Sequence, residues 1–346
     1  MRRSRFPVLW FFVFAYVITG VGMCVNFYAL RGRPGAPINS QTMPWLPYAP
    51  YVLWAGPCLA SLLMTLFLYG LPGVRRLVFR LAPWSVGGAW LVLVVCLLPR
   101  LEVVVLASLV GVLVVLWLHG LAGIRRMATQ LRPWLLGQGW PVLAVCLLLP
   151  LGVVVLPVKI LAALAVSVPH LSWEGWPHYL YGAVIGAGLI GPGLFEEIGW
   201  RGFALPHLQR RYSALVSSLI IGLVWAFWHF PNFFFFTPTR LAIFVPMGMV
   251  MSVIYTWVYN STGGSLFAVV VLHGATIASG KLFAGRELFD PTGVITGLLF
   301  VVIAVGLVWR YGAANLSWRD RVAAEPPQGA AASVRPAPSA QTADET

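Results

Sequence analysis

Ten acidic residues are spread over 346 positions, and one pair of them is adjacent inside apolar surroundings. Glu196 and Glu197 close the apolar run from Tyr181 to Phe195 and lead into Ile198-Gly199-Trp200-Arg201-Gly202. A charge in the middle of a membrane span costs about 2.5–3.5 kcal/mol on the insertion scale, so two neighbouring carboxylates there need a partner or a purpose. On a helix Glu197 and Arg201 stand four residues apart on one face and can pair. Glu196 points about 100° away. That asymmetry predicts a division of labour, with Glu197 and Arg201 as supporting residues that lock the helix and Glu196 free to act as an acid or base.

Two histidines extend this chemistry. His229 ends the apolar run that begins near Ala214, in Trp225-Ala226-Phe227-Trp228-His229-Phe230-Pro231. His273 lies inside a later run, Ala268-Val269-Val270-Val271-Leu272-His273-Gly274. Polar groups on three separate spans each require a polar partner in hydrocarbon, and meeting one another satisfies all of them. A carboxylate with two imidazoles can activate water, either by direct proton abstraction or on a bound divalent metal such as zinc held by Glu196, His229 and His273. His119, His170, His178 and His207 fall at span ends, where a wet imidazole costs little.

The rest of the chain is what must hold these groups in place. It is 59% apolar and 10% charged, too little charge to cover a water-soluble globule of this length. The expected fold is all-α, a polytopic transmembrane helical bundle of about eight to ten spans. Apolar segments run roughly over 6–30, 49–70, 87–118, 137–168, 178–195, 213–230, 241–260, 264–282 and 292–310. The first reads as an uncleaved span rather than a signal peptide. The net charge of +13 gathers in short gaps between runs, at Arg2, Arg3 and Arg5, at Arg75, Arg76 and Arg80, and at Arg125, Arg126 and Arg132. That distribution is a topology signal and argues against nucleic acid as a partner. It also requires one of the stretches 87–118 and 137–168 to cross twice and the other once, each having a central proline, Pro99 or Pro150. Cys24, Cys58, Cys96 and Cys146 sit inside apolar runs and read as small buried hydrophobes.

A 50-residue element is duplicated. Leu71-Pro72-Gly73-Val74-Arg75-Arg76, followed by Pro83-Trp84 and Cys96, returns as Leu121-Ala122-Gly123-Ile124-Arg125-Arg126, followed by Pro133-Trp134 and Cys146. Each copy reads as a basic interfacial helix, a Pro-Trp break and a span. The domain expectation is therefore an N-terminal transmembrane region over 1–170 carrying this duplication (about 69–110 and 119–160), a membrane domain with the chemistry over 171–310, and a disordered cytoplasmic tail over 311–346.

The order Glu196-Glu197-xxx-Arg201-Gly202, a histidine after an aromatic-rich span and a second histidine in a later span resembles the CPBP intramembrane proteases, also called Abi or CAAX-protease and bacteriocin-processing proteins. The resemblance covers about 178–282. It implies that Glu196 activates the attacking water, that His229 and His273 contribute to a metal site or to oxyanion stabilisation, and that Glu197 and Arg201 support them. Two departures stand out. Trp225 replaces the usual Phe four residues before the first histidine, and Ile277 replaces the usual Asn four after the second, with Thr276 and Ser279 as the nearest polar side chains. The expected function is an intramembrane endopeptidase, metallo- or glutamate-dependent, acting on a membrane-associated protein or peptide. The alternatives are a catalytically impaired relative serving as a membrane partner or bacteriocin-immunity protein, and a proton-coupled transporter. The Ala, Gly, Arg and Pro-rich composition suggests a bacterial plasma membrane.

Overall fold

The structure, a computed structural model, describes residues 7–31, 49–81, 139–164, 166, 176–230, 237–282 and 291–324. Apolar chain in a bilayer must satisfy its backbone internally, and helices do so here. They are α1 (Pro7–Arg31), α2 (Ala49–Phe79), α3 (Gly139–Ala163), α4 (Trp176–Tyr181), α5 (Pro192–Gly199), α6 (Leu205–Leu208), α7 (Ala214–Trp228), α8 (Pro238–Ser261), α9 (Leu266–Lys281) and α10 (Pro291–Asn315). Two wide π-helical turns join them, π1 (Gly182–Leu189) after α4 and π2 (Trp200–Ala204) between α5 and α6. Among the described residues there is no strand. Five helices are long and apolar enough to cross a membrane, and three shorter apolar helices, 179–189, 214–228 and 266–281, accompany them. The all-α polytopic bundle is thus present, with eight membrane-type helices among the described residues.

Several expectations shift. Within the stretch 137–168, Gly139–Ala163 form one helix, α3, that carries both Pro150 and Pro157 without breaking and has the length of a single crossing. The stretch 87–118, the second copy's basic helix and both Pro-Trp breaks lie outside the described residues. The first copy's basic helix is separated from its span at Gly70, whose φ of +64° favours glycine. The run 178–195 is not one helix: it turns at Ile190 and Gly191 before α5 begins with Pro192. Cys58 and Cys146 are buried, whereas Cys24 is exposed on the outer face of α1.

The compositional change at 311 does not end the fold either. Helix α10 runs to Asn315, and residues 316–324 are tied to the bundle. Asn260 donates to the Asn315 carbonyl at 2.9 Å and to Gln209 at 2.8 Å, Gln209 donates to the Val322 carbonyl at 2.7 Å, and Ala324 N–H reaches Pro206 O at 2.9 Å. Residues 325–346 lie outside the described residues.

Helix α9 is the most deeply buried helix of the C-terminal half among the described residues. Every residue from Leu266 to Ala275 is buried. Its first turn is capped by Ser265, whose hydroxyl accepts from Ala268 N, and by the Arg80 carbonyl, which accepts from Leu266 N at 3.0 Å. It packs against π1, α3, α5 and α8. The approach to π1 is closest at Gly274, where a Cβ would lie 1.9 Å from the Ala183 carbonyl oxygen. Glycine beside His273 is therefore what lets the π1 backbone lie against α9 and sets the depth of that histidine.

Candidate active site

Helix α5 is short and begins after an extended Gly191, so Glu196 and Glu197 are carried on its second turn, directly ahead of the π2 turn that bears Arg201. Wide turns of this kind recur at functional sites because they re-aim the side chains that follow. All three side chains are buried, Glu196 at 2% exposure and Glu197 and Arg201 at 0%. Protein encloses them, so they are not the solvated cap that a span end would offer.

Glu197 is a hub. Its Oε1 accepts from Arg201 Nη1 at 3.1 Å and from His273 Nδ1 at 2.8 Å. The i,i+4 spacing brings the first partner within reach and the packing of α9 on α5 brings the second. Arg201 is held on further sides: its Nη2 donates to Ser252 Oγ at 3.0 Å, and its guanidinium lies 5.3 Å from the Trp225 ring centroid and 5.0 Å from that of Tyr255. A planar cation between two aromatic faces is strongly oriented. The charge of the buried Glu197 is thereby matched within the protein.

Glu196 is turned elsewhere, as the 100° offset implies. Its Oε2 accepts from the Trp225 indole N–H at 2.5 Å. His229 terminates α7, and its Nδ1 lies 2.8 Å from the Trp225 carbonyl oxygen. A carbonyl can only accept, so Nδ1 carries the hydrogen and Nε2 is left as the nitrogen available to the cavity. The bond from His273 Nδ1 to the Glu197 carboxylate imposes the same tautomer on His273. Glu196, Trp225, His229, Tyr255, His273 and Thr276 line one cavity of about 340 Å³. A larger cavity of about 590 Å³ shares Trp54, Pro192 and Ile277 with it and continues toward Tyr179, Tyr181 and Lys281.

All five residues singled out in the sequence thus converge from four elements, α5, π2, the end of α7 and α9. Trp225, Ser252 and Tyr255 were not anticipated as parts of the site. The signal available was weak: Ser252 and Tyr255 are polar groups three apart in an apolar helix, and each needs a partner there. Among the described residues no group of three His, Cys, Asp or Glu side chains could hold a metal ion. One Glu196 oxygen is committed to Trp225, and each imidazole is tied at Nδ1, which leaves Nε2 as its remaining donor atom.

His207 departs from expectation in another way. It is buried, not wet, with Nδ1 donating to the Phe203 carbonyl at 2.6 Å and Nε2 accepting from the Tyr69 hydroxyl at 2.8 Å. Burial pushes its pKa down to about 4, the bond to Phe203 opposes this, and the Arg210 and Arg80 guanidinium groups add to the lowering. Arg80 also donates to the Tyr259 hydroxyl at 3.0 Å. Arginines distant in sequence therefore meet at the end of the bundle bearing α6, as one-sided placement of positive charge requires. His119, His170 and the side chain of His178 lie outside the described residues.

Comparison with known proteins places this geometry in context. Residues 176–279 match the family described as type II CAAX prenyl endopeptidase Rce1-like. A CAAX prenyl protease 2 of Methanococcus maripaludis is 30% identical over 129 residues, covering 33% of this chain and 45% of that protein. The match to the relative spans less than half of that protein's length, and the family match over 176–279 includes the buried carboxylates and both histidines.

Proposed function

We propose, from the premise that this chain belongs through residues 176–279 to the CAAX intramembrane protease family, that it hydrolyses a peptide bond of a membrane-associated protein or peptide. The observation that carries the reading is the convergence of Glu196, His229 and His273 on one cavity, with Glu197 and Arg201 behind them. In this reading a water in the cavity gives its proton to Glu196 as its oxygen attacks the scissile carbonyl carbon. Trp225 orients the carboxylate through its indole N–H. The Nε2 lone pairs of His229 and His273 hold the water and the substrate N–H. When the carbon–nitrogen bond breaks, its electron pair stays on the nitrogen, which takes the proton back from Glu196. Glu197 and Arg201 act through His273 by fixing its tautomer and ring orientation. Among the described residues no group of three His, Cys, Asp or Glu side chains could hold a metal ion, and no step of this reading is routed through one.

The relative's name specifies prenylated CAAX substrates, and we extend to this chain only the coarser class, a lipid-tethered or membrane-embedded peptide. The test is turnover of a membrane-tethered, internally quenched peptide by purified protein in liposomes. Glu196→Gln is expected to abolish it, and equal turnover by the two proteins overturns the assignment of Glu196. A second reading, a non-catalytic membrane partner, is favoured by Ile277, an apolar side chain on the wall shared by both cavities. It requires a cellular phenotype that survives Glu196→Gln.

A further inference from the structure

Peptide hydrolysis needs a hydrogen-bond donor aimed at the oxygen on which negative charge develops. This rests on the peptidase reading above, and the cavity wall can be searched for that donor. Trp225 has spent its N–H on Glu196. His229 and His273 direct their Nδ1 hydrogens to the Trp225 carbonyl and to Glu197, and in the reading above their Nε2 lone pairs face the water and the substrate N–H. Thr276 has spent its hydroxyl hydrogen on the Leu272 carbonyl at 2.9 Å. Trp54, on the far wall, is engaged with neighbours of its own. Tyr255 differs from these. It lines the same cavity as Glu196, His229 and His273, with Thr276 beside it on the wall.

We propose that Tyr255 is a catalytic residue whose hydroxyl donates to the oxyanion of the tetrahedral intermediate. Its ring is fixed by Arg201, whose guanidinium carbon is 5.0 Å from the centroid, and by the rings of His273 and Trp225 at 5.4 and 5.9 Å. With the ring immobile, the O–H has only to rotate toward the substrate oxygen. A bond from it to an anionic oxygen is about twice as strong as one to a neutral acceptor. The gain arises as charge builds and is small for the uncharged substrate carbonyl, which is what catalysis requires. The step balances: water adds to the carbonyl carbon, the C=O electron pair moves to oxygen, the water proton goes to Glu196, and Tyr255 keeps its own proton throughout.

The experiment is Tyr255→Phe, which retains every ring contact and removes one oxygen. With the tethered peptide in liposomes, kcat is expected to fall about 100-fold while KM stays within about twofold. A phosphinate analogue of the same peptide, a tetrahedral anion, is expected to bind about 100-fold more weakly, and an uncleavable N-methylated peptide equally well; a purely structural defect would weaken both. Should Tyr255→Phe fail to fold, difluorotyrosine at 255, a stronger donor in the same ring, is expected to tighten phosphinate binding. Unchanged kcat and phosphinate affinity overturn the role of Tyr255 and leave the peptidase reading intact. A wild-type protein that neither cleaves the peptide nor binds the phosphinate overturns both.

Discussion

Replacing Arg201 by Met tests whether the buried charges form one unit. Both ends of the Glu197–Arg201 pair are fully buried, and the 3.1 Å bond between them is accompanied by a bond to Ser252 and by two aromatic faces. Removing one member of a buried pair costs about 3–5 kcal/mol, because the carboxylate left behind loses its counter-charge without regaining water. At about 2–4 °C per kcal/mol the expected fall in Tm is on the order of 10 °C. Neutralising the partner as well reverses much of this. In Glu197→Gln/Arg201→Met the amide oxygen still accepts from His273 Nδ1 and no unpaired charge remains, so the double variant is expected to melt above the Arg201→Met protein. Arg201→Lys is expected to fall in between, since the charge is kept while the fork and its stacking are lost. Thermal unfolding in one detergent of the wild type, Arg201→Met, Glu197→Gln and the double variant gives the coupling directly. A Tm for Arg201→Met within about 1 °C of wild type, or losses that simply add in the double variant, would refute the reasoning.

Trp225→Phe keeps the aromatic contacts and removes the donor to Glu196, so turnover is expected to fall about tenfold or more with little change in Tm, as peptide cleavage and melting measured on one preparation will show. His207 titrates at about 4 in the folded protein against 6.5 in the unfolded chain, so the folded state binds fewer protons between those values. Its contribution, on the order of 3 kcal/mol, is complete above pH 6.5 and is lost as the pH falls toward 4; a His207→Gln protein should show a flatter dependence of Tm on pH across that window. Treatment with a strong chelator followed by elemental analysis is expected to leave peptide turnover unchanged, and activity lost to chelation and restored by zinc would contradict the reading of the donor set.

What could be read from the sequence was what depends on local periodicity. The pairing of Glu197 with Arg201 needs only a helical repeat, and span positions follow from runs of apolar residues. The partner of Glu196 lies 29 residues away, and its choice among the many aromatic side chains depends on how α7 is rotated about its own axis, which composition does not encode. His207 was misplaced for a similar reason: a position at a span end suggests water, but the phenol of Tyr69 and the turn before it enclose the ring. The boundary at 311 failed because averaging over an Ala and Pro-rich segment conceals a few specific bonds. Asn260 and Gln209, single polar residues on other elements, are what hold residues 315–322 in place.

The shortness of α7 and α9 bears on how a hydrolytic site obtains water inside a lipid phase. Fifteen and sixteen residues amount to about 22–24 Å of helix, less than the roughly 30 Å of hydrocarbon in a typical bilayer. A membrane accommodates such helices by thinning around them. His229, at the very end of α7, then lies beside a dimpled surface instead of at full hydrocarbon depth. Access of solvent becomes a property of the lipid as well as of the protein, and acyl-chain length joins the variables that set the rate.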